Sequence, residues 1–314
     1  MRSKRSLKIQ EIITFLENEK KINPAGLYSI NENIRFFSSI VNLSKFLKWY
    51  WYYHKKIDGS KITELTDFDN ENFIRELHQE LLKVERRKIP GMVAPLVIAV
   101  YKHILSMEKP ALIADLGSGS MEIARQIITR LMKSGYNKQL TIVAFDKSKA
   151  AHESGVSNLA VFKDYIEIHE TDSFNADLLA KIEKYSQKSI KVILSNEDVF
   201  NLSKEKINVK FDLSFHSFFK HHLEEYRKKK IDYLLSDISD KIFEYDEFYS
   251  SFGLLVHSMH TWKNPILLNG AAFSVIRSIK LQALKQDPQS IEIFKRGSIL
   301  SWRGTYLRTL SNKD

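Results

Sequence analysis

Between residues 111 and 146 the chain reads ALIADLGSGSMEIARQIITRLMKSGYNKQLTIVAFD. Two acids punctuate this stretch: Asp115 closes a first apolar run and Asp146 closes a second. Directly after the first acid come Gly117, Ser118, Gly119 and Ser120. Without a Cβ, glycine lets a backbone bend sharply and lie against a ligand. An acid at a strand end can accept hydrogen bonds from both hydroxyls of a ribose. Apolar run, glycine turn, helix-patterned run, apolar run, acid: this is the order of parts in a nucleotide-type cofactor site. Two common variants are excluded. A dinucleotide G-x-G-x-x-G needs Gly or Ala where Ile123 stands, and no G-x-x-x-x-G-K-[ST] string occurs in the chain.

Further acids and histidines follow. Asp172 lies in Thr-Asp-Ser after a third apolar run, and Asp198 lies in Ser-Asn-Glu-Asp-Val-Phe. Residues 211–223, FDLSFHSFFKHHL, bring His216, His221 and His222 to the end of a strand. A histidine there can act as a general base on a substrate oxygen or nitrogen. It can equally cap the next helix and pack on the sheet. Tyr245 and Glu247, in Glu-Tyr-Asp-Glu, end a later strand and can orient a substrate. His257-x-x-His260 has metal-ligand spacing, but no third ligand stands in register, so no metal site is expected. The chain has no cysteine, which excludes disulfides, thiolate metal sites and cysteine nucleophiles.

These residues must be held by elements the pattern also predicts. Beyond residue 110, strands and helices alternate, which implies an α/β fold with a mostly parallel sheet covered on both faces. The predicted strands cover residues 111–115, 141–146, 165–171, 191–195, 212–216, 241–245, 291–296 and 305–310. Residues 122–133 carry Ile123, Ile127, Ile128 and Leu131 on one helical face, and residues 175–185 carry Leu178, Leu179, Ile182 and Tyr185. Residues 1–110 read as helices, at 7–16, 33–53, from Asp69 or Asn70 through Leu82, and at 93–105. The run from Lys45 to Lys56 is dense in Trp and Tyr; it reads as a packed helix, with a lid over an apolar or aromatic substrate, a single-stranded nucleic-acid surface or an interfacial membrane helix as alternatives, and the helical region as a whole can also be a dimer surface. The expected organisation is therefore a helical region, 1–110, and a cofactor domain, 111–314.

The chain has 314 residues, 43% hydrophobic and 27% charged, with a formal charge of +10. This is a globular composition. The basic excess leans toward the N-terminal third, but no run of five basic residues occurs. It suits a nucleic acid, an anionic small substrate or simply a solvated surface. No apolar run is long enough to span a bilayer, and the N-terminus lacks the apolar core of a signal peptide. A cytoplasmic protein is expected.

The string Asp115-x-Gly117-x-Gly119-x-Met121 closely resembles motif I of the class I S-adenosylmethionine-dependent methyltransferases, acid-x-Gly-x-Gly-x-Gly, with Met121 in the third glycine slot. The FDLSFHSFFKHHL stretch resembles their fourth-strand motif. The resemblance covers about the C-terminal two thirds of the chain. It implies a Rossmann-like sheet ending in an antiparallel hairpin, S-adenosyl-L-methionine as cofactor, and methyl transfer to a small, aromatic or hydrophobic acceptor. RNA, a protein acceptor, or a non-catalytic binding role on the same fold are the alternatives. The cofactor residues it implies are Asp115, Gly117, Ser118, Gly119, Met121, Asp146, Asp198 and His216. Asp146 is assigned the ribose, with Asp172 as rival, and Asp198 the adenine. His216, His221 and His222 are the catalytic candidates. The place after the fourth strand holds His216-Ser217-Phe218-Phe219 instead of [DN]-P-P-[YF], which argues against amino N-methylation. Eight predicted strands are one more than the family's seven, so an extra strand–helix unit, or an insertion, is expected between Asp146 and Asp198.

Overall fold

A computed structural model of the chain describes Arg75 and residues 93–223, 225–247, 290–296 and 305–310. The helices expected before residue 93, the aromatic run 45–56, and His257 and His260 lie outside the described residues. The chain divides into two compact units, and nearly all described residues belong to the one formed by Asp67–Asp246, Leu284–Lys295 and Tyr306–Asp314.

Its centre is an eight-stranded sheet. The strands are β1 (Ala111–Leu116), β2 (Leu140–Phe145), β3 (Ile166–Thr171), β4 (Ile190–Ser195), β5 (Leu213–Ser217), β6 (Ile242–Glu247), β7 (Ser290–Arg296) and β8 (Thr305–Leu310). Their spatial order is β3-β4-β2-β1-β5-β6-β8-β7. The first six pair in parallel, and the C-terminal pair is antiparallel. The additional strand is β3. It lies between Asp146 and Asp198 in sequence and takes the outer edge beside β4.

Every residue of β2 and β4 is buried, as parallel strands covered on both faces must be. One face packs on helices Ala94–Ser106 and Glu122–Lys133. Leu96, Val97, Val100 and Ile104 of the first share a core with Ile123, Ala124, Ile127, Ile128 and Leu131 of the second. The last five recur at near-helical spacing, which is why this segment is a helix with one apolar face. The opposite face packs on helices Ala176–Tyr185 and Glu225–Ile238 around Phe145, Phe174 and Phe211, whose rings stand 5.9 to 6.2 Å apart. Tyr185 departs from its predicted face. It is 65% exposed, with the Lys184 ammonium 5.3 Å from its ring centroid, while Leu179 and Ile182 are buried.

From β1 the chain first turns to β2 on one side, and later fills β5 on the other. Such a reversal leaves a crevice outside the carboxyl ends of the strands, the usual ligand position in open α/β sheets. The register sets Leu116 of β1 level with Phe145 of β2 and with His216 of β5. The glycine turn, Asp146 and the residues after His216 therefore leave the sheet side by side.

Candidate active site at the carboxyl edge of the sheet

The turn after β1 is held by its neighbours. Gly117 and Ser118 donate their backbone N–H groups to the Phe145 carbonyl at 2.8 and 3.2 Å. Gly119 N–H donates to Asp146 Oδ2 at 2.9 Å, while Asp146 Oδ1 accepts from Ser148 N–H at 3.0 Å. Asp146 thus sits against the turn as well as at the end of β2. Gly117 and Gly119 have φ of +65° and +50°, a left-handed backbone that glycine adopts freely. Met121 shares it at φ 60°, directly before helix Glu122–Lys133. Its side chain is fully buried and packs toward helix Lys149–Leu159, where a Cβ on Gly155 would come within 2.7 Å of its Cγ. Only the Met121 backbone therefore faces the turn's chemistry. The absent glycine is replaced by a hydrophobic anchor.

Asp115 is 2% exposed. Burial, reinforced by the Asp146 carboxylate, holds its carboxyl well above the usual range. Its Oδ2 has no hydrogen-bond partner among the described residues, and the same holds for Ser118 Oγ, Ser195 Oγ, Asn196 Oδ1 and both ring nitrogens of His216. Buried polar atoms are nearly always paired. The six atoms named here gather at the carboxyl ends of β1, β4 and β5, the edge where a polar ligand would satisfy them.

At the end of β5, His216 is fully buried. Burial pushes its pKa down to about 4, against the attraction of Glu244. Its Nε2 is 3.6 Å from Glu244 Oε2, too long for a hydrogen bond. It is a neutral imidazole at pH 7, and a group with that pKa is a weak general base there. His221 is fixed instead: Asp246 Oδ1 lies 2.6 Å from its Nδ1, and Asp246 Oδ2 accepts its backbone N–H at 3.2 Å. The His222 ring lies 3.9 Å from that of His221. Tyr245 is buried, with its ring edge-on to Phe218 at 5.4 Å, and its carbonyl accepts the Phe218 N–H at 2.9 Å. Glu247 is the last residue of β6.

A buried ion network joins these strands, and most of it was not legible in the sequence. The Lys220 ammonium donates to Glu244 Oε2 at 2.8 Å and to Asp232 Oδ1 at 2.5 Å, and the Arg308 guanidinium reaches Glu244 Oε2 at 2.7 Å. Burial alone would raise the Glu244 carboxyl; Lys220, Arg308 and His216 together bring it well below the usual range. Lys220, Asp232 and Arg308 are far apart in sequence and carry no shared motif.

The other acids fall in different surroundings. Asp198 caps the short helical turn Val199–Asn201, its Oδ1 accepting from Phe200 N–H at 2.9 Å. Asp172 is exposed and follows β3, three strands away from β1, or about 14 Å at the usual strand spacing. Among the described residues no group of three or more His, Cys, Asp and Glu could hold a metal ion.

No protein-family model matches the chain, and no curated protein matches its sequence. Solved structures do. The plantazolicin methyltransferase BpumL, in complex with S-adenosylhomocysteine, is 11% identical over 86% of this chain and 99% of its own, with a TM-score of 0.50. A small RNA methyltransferase, HEN1, is 14% identical over 73% of this chain and 27% of its own, at 0.47. Magnesium protoporphyrin IX methyltransferase from Synechocystis PCC 6803, with bound S-adenosylhomocysteine, is 10% identical over 76% and 98%, at 0.44. The likeness to the first extends the strand order to a named fold, that of the class I methyltransferases.

Proposed function

On the class I methyltransferase fold, we propose that this chain transfers a methyl group from S-adenosyl-L-methionine to a small acceptor with an apolar or aromatic surface. One observation carries the reading. Unpartnered buried polar atoms of Asp115, Ser118, Ser195, Asn196 and His216 line the sheet edge beside a left-handed glycine turn.

The cofactor supplies an electrophilic methyl on a sulfonium, so the protein's task is to hold, orient and keep dry. Gly117, Ser118, Gly119 and the Met121 backbone shape the bend. Asp146 takes ribose hydroxyls in exchange for its Gly119 contact, a role its position against the turn supports. Asp198 and Asn196 stand after β4 for the adenine. The buried Asp115 carboxyl is suited to compensate a cationic ligand, whose charge would favour its ionised form. Positioning alone can lower a barrier by about 7–11 kcal/mol in the best intramolecular cases. The part-exposed rings of Phe218 and Phe219 next to the turn favour an apolar acceptor. Tyr245 and Glu247 complete the acceptor side, and His221 or His222 would serve as base if the acceptor needs one.

Residues 1–110 are read as substrate cover or dimer surface and 111–314 as the methyltransferase domain, although helix Ala94–Ser106 is packed in the sheet's own core. No helix among the described residues is long and apolar enough to cross a membrane. A cytoplasmic location is part of the proposal.

One observation favours RNA as a second acceptor class. Arg227, Lys229 and Lys230 are exposed on helix Glu225–Ile238 next to Tyr226, which is 63% exposed. An RNA substrate would bind with a steep salt dependence, a small acceptor would not.

Calorimetric titration with S-adenosylmethionine and S-adenosylhomocysteine tests the core of the reading. Binding of both, lost in Asp146→Ala, is expected. Failure to bind either compound, in the intact protein and in variants that open the site alike, would overturn it.

A further inference from the structure

We propose that Phe219 is the gate of the glycine turn: its ring closes the space over Gly117 that a nucleoside must enter, while its neighbours hold the backbone fixed. This rests on the cofactor reading above and names the residue that regulates access to the same site.

The ring lies directly on the glycine. A Cβ built on Gly117 would stand 2.5 Å from Phe219 Cδ2 and 3.1 Å from its Cε2 and Cγ. No ligand atom fits between them. The ring also stands edge-on to His216, 6.1 Å between centroids. His216 is fully buried, with neither ring nitrogen partnered among the described residues. A phenyl ring therefore seals a polar group that nothing described satisfies, which is the state of a site awaiting an occupant.

The backbone cannot do the opening. Phe218, before the gate, has φ 49°, a conformation a bulky residue holds only when its surroundings impose it. Its N–H is tied to the Tyr245 carbonyl at 2.9 Å. Lys220, after the gate, is 6% exposed and clamped by Glu244 and Asp232. His222 N–H closes on the Phe219 carbonyl at 3.1 Å. Phe219 itself has φ −112° and ψ −49°, and its side chain is only partly buried. Side-chain rotation toward solvent is the motion left to it, and such flips are fast.

A ligand that binds only the open rotamer has its apparent affinity reduced by the open fraction. With the open form populated at about 10% or less, removing the ring tightens binding by about tenfold or more.

The test is calorimetry and stopped-flow binding of S-adenosylhomocysteine to the full-length protein and to Phe219→Ala, with Phe219→Trp as the bulkier control. The alanine variant is expected to bind at least about tenfold tighter, with faster association, and the tryptophan variant several-fold more weakly. A folded Phe219→Ala that binds equally or more weakly, while the parent protein binds, overturns the gate and leaves the cofactor reading standing. Binding by neither protein overturns both. Binding by Phe219→Ala alone supports the gate in its strongest form. Should the variant fail to fold, 4-fluorophenylalanine placed at position 219 decides. Its fluorine resonance is expected to shift as S-adenosylhomocysteine saturates the site, and an unmoved resonance overturns the gate.

Discussion

Replacing Asp115 by Asn isolates the electrostatic cost stored beside the glycine turn. The carboxyl is buried, one oxygen has no partner among the described residues, and burial together with Asp146 raises its pKa well above the ordinary value. For an acid raised in the folded state, the folded protein binds more protons than the unfolded chain between the two pKa values. Stability therefore falls as pH rises from the unfolded value, and it stays lowered above the folded one. Asparagine does not titrate, so that loss vanishes. An unmet buried polar group costs about 1–3 kcal/mol, and a charged one more. At about 2–4 °C per kcal/mol for a chain of this class, Asp115→Asn should raise Tm by about 2–12 °C at pH 8. The gain should shrink toward zero near about pH 4, where the unfolded acid is itself half protonated. Paired melts of parent and variant from acid to neutral pH read this difference directly. Excess S-adenosylhomocysteine should then reverse the ranking. The parent gains about 2.7 kcal/mol at a hundredfold excess over Kd, and the variant gains less. A variant less stable by the same amount at every pH would refute the electrostatic reasoning. One that responds to the ligand as strongly as the parent would remove Asp115 from the site.

Three further outcomes follow from the same geometry. Gly117→Ala adds a Cβ against the Phe219 ring at a left-handed φ and should cost about 2–4 kcal/mol in urea melts; combining it with Phe219→Ala should recover more than about 0.5 kcal/mol, whereas strict additivity would show that the ring is not the obstacle. Lys220→Met takes a cation from the buried Glu244 and the part-buried Asp232 and should cost about 3–5 kcal/mol at pH 7. Because Lys220 helps hold the Glu244 carboxyl below its usual range, the parent loses that stability as pH falls, and the variant's acid limb should be shallower. His221→Ala breaks the contacts with Asp246 on a buried ring and should cost about 2–3 kcal/mol, while an unchanged Tm would show that this histidine is free for chemistry.

The sheet was legible because its strands are short apolar runs separated by helices of clear period. Glu122–Lys133 begins and ends where the pattern of Ile123, Ile127, Ile128 and Leu131 places it. The surplus strand was legible as a count, but its place at the edge was not: Ile166–Thr171 looks like any other strand until β2 pairs with β4 and leaves it outside. That pairing also separates Asp146, against the turn, from its rival Asp172, which local sequence places in a similar setting. Helix Lys149–Leu159, built on Ala, Ser and Gly, has too weak an apolar stripe to stand out, and its fit depends on Met121 filling the space at Gly155. The Lys220–Glu244–Arg308 network could not be read as a unit. Its members are joined by sheet order across 24 and 64 residues, and no spacing rule reaches that far.

The outermost strand has a consequence for solubility. β4 is buried along its whole length, with the apolar run Val192, Ile193 and Leu194 at its centre. Bare, it would offer unpaired backbone to any other extended chain, a template for intermolecular ribbons. β3 occupies that margin and presents Glu167, His169 and Glu170 outward-facing or half-covered in its place. Charged side chains on a rim discourage further strand addition. The surplus strand, whatever else it does, turns a sticky border into a repellent one, so a chain trimmed of Ile166–Thr171 should precipitate before it unfolds.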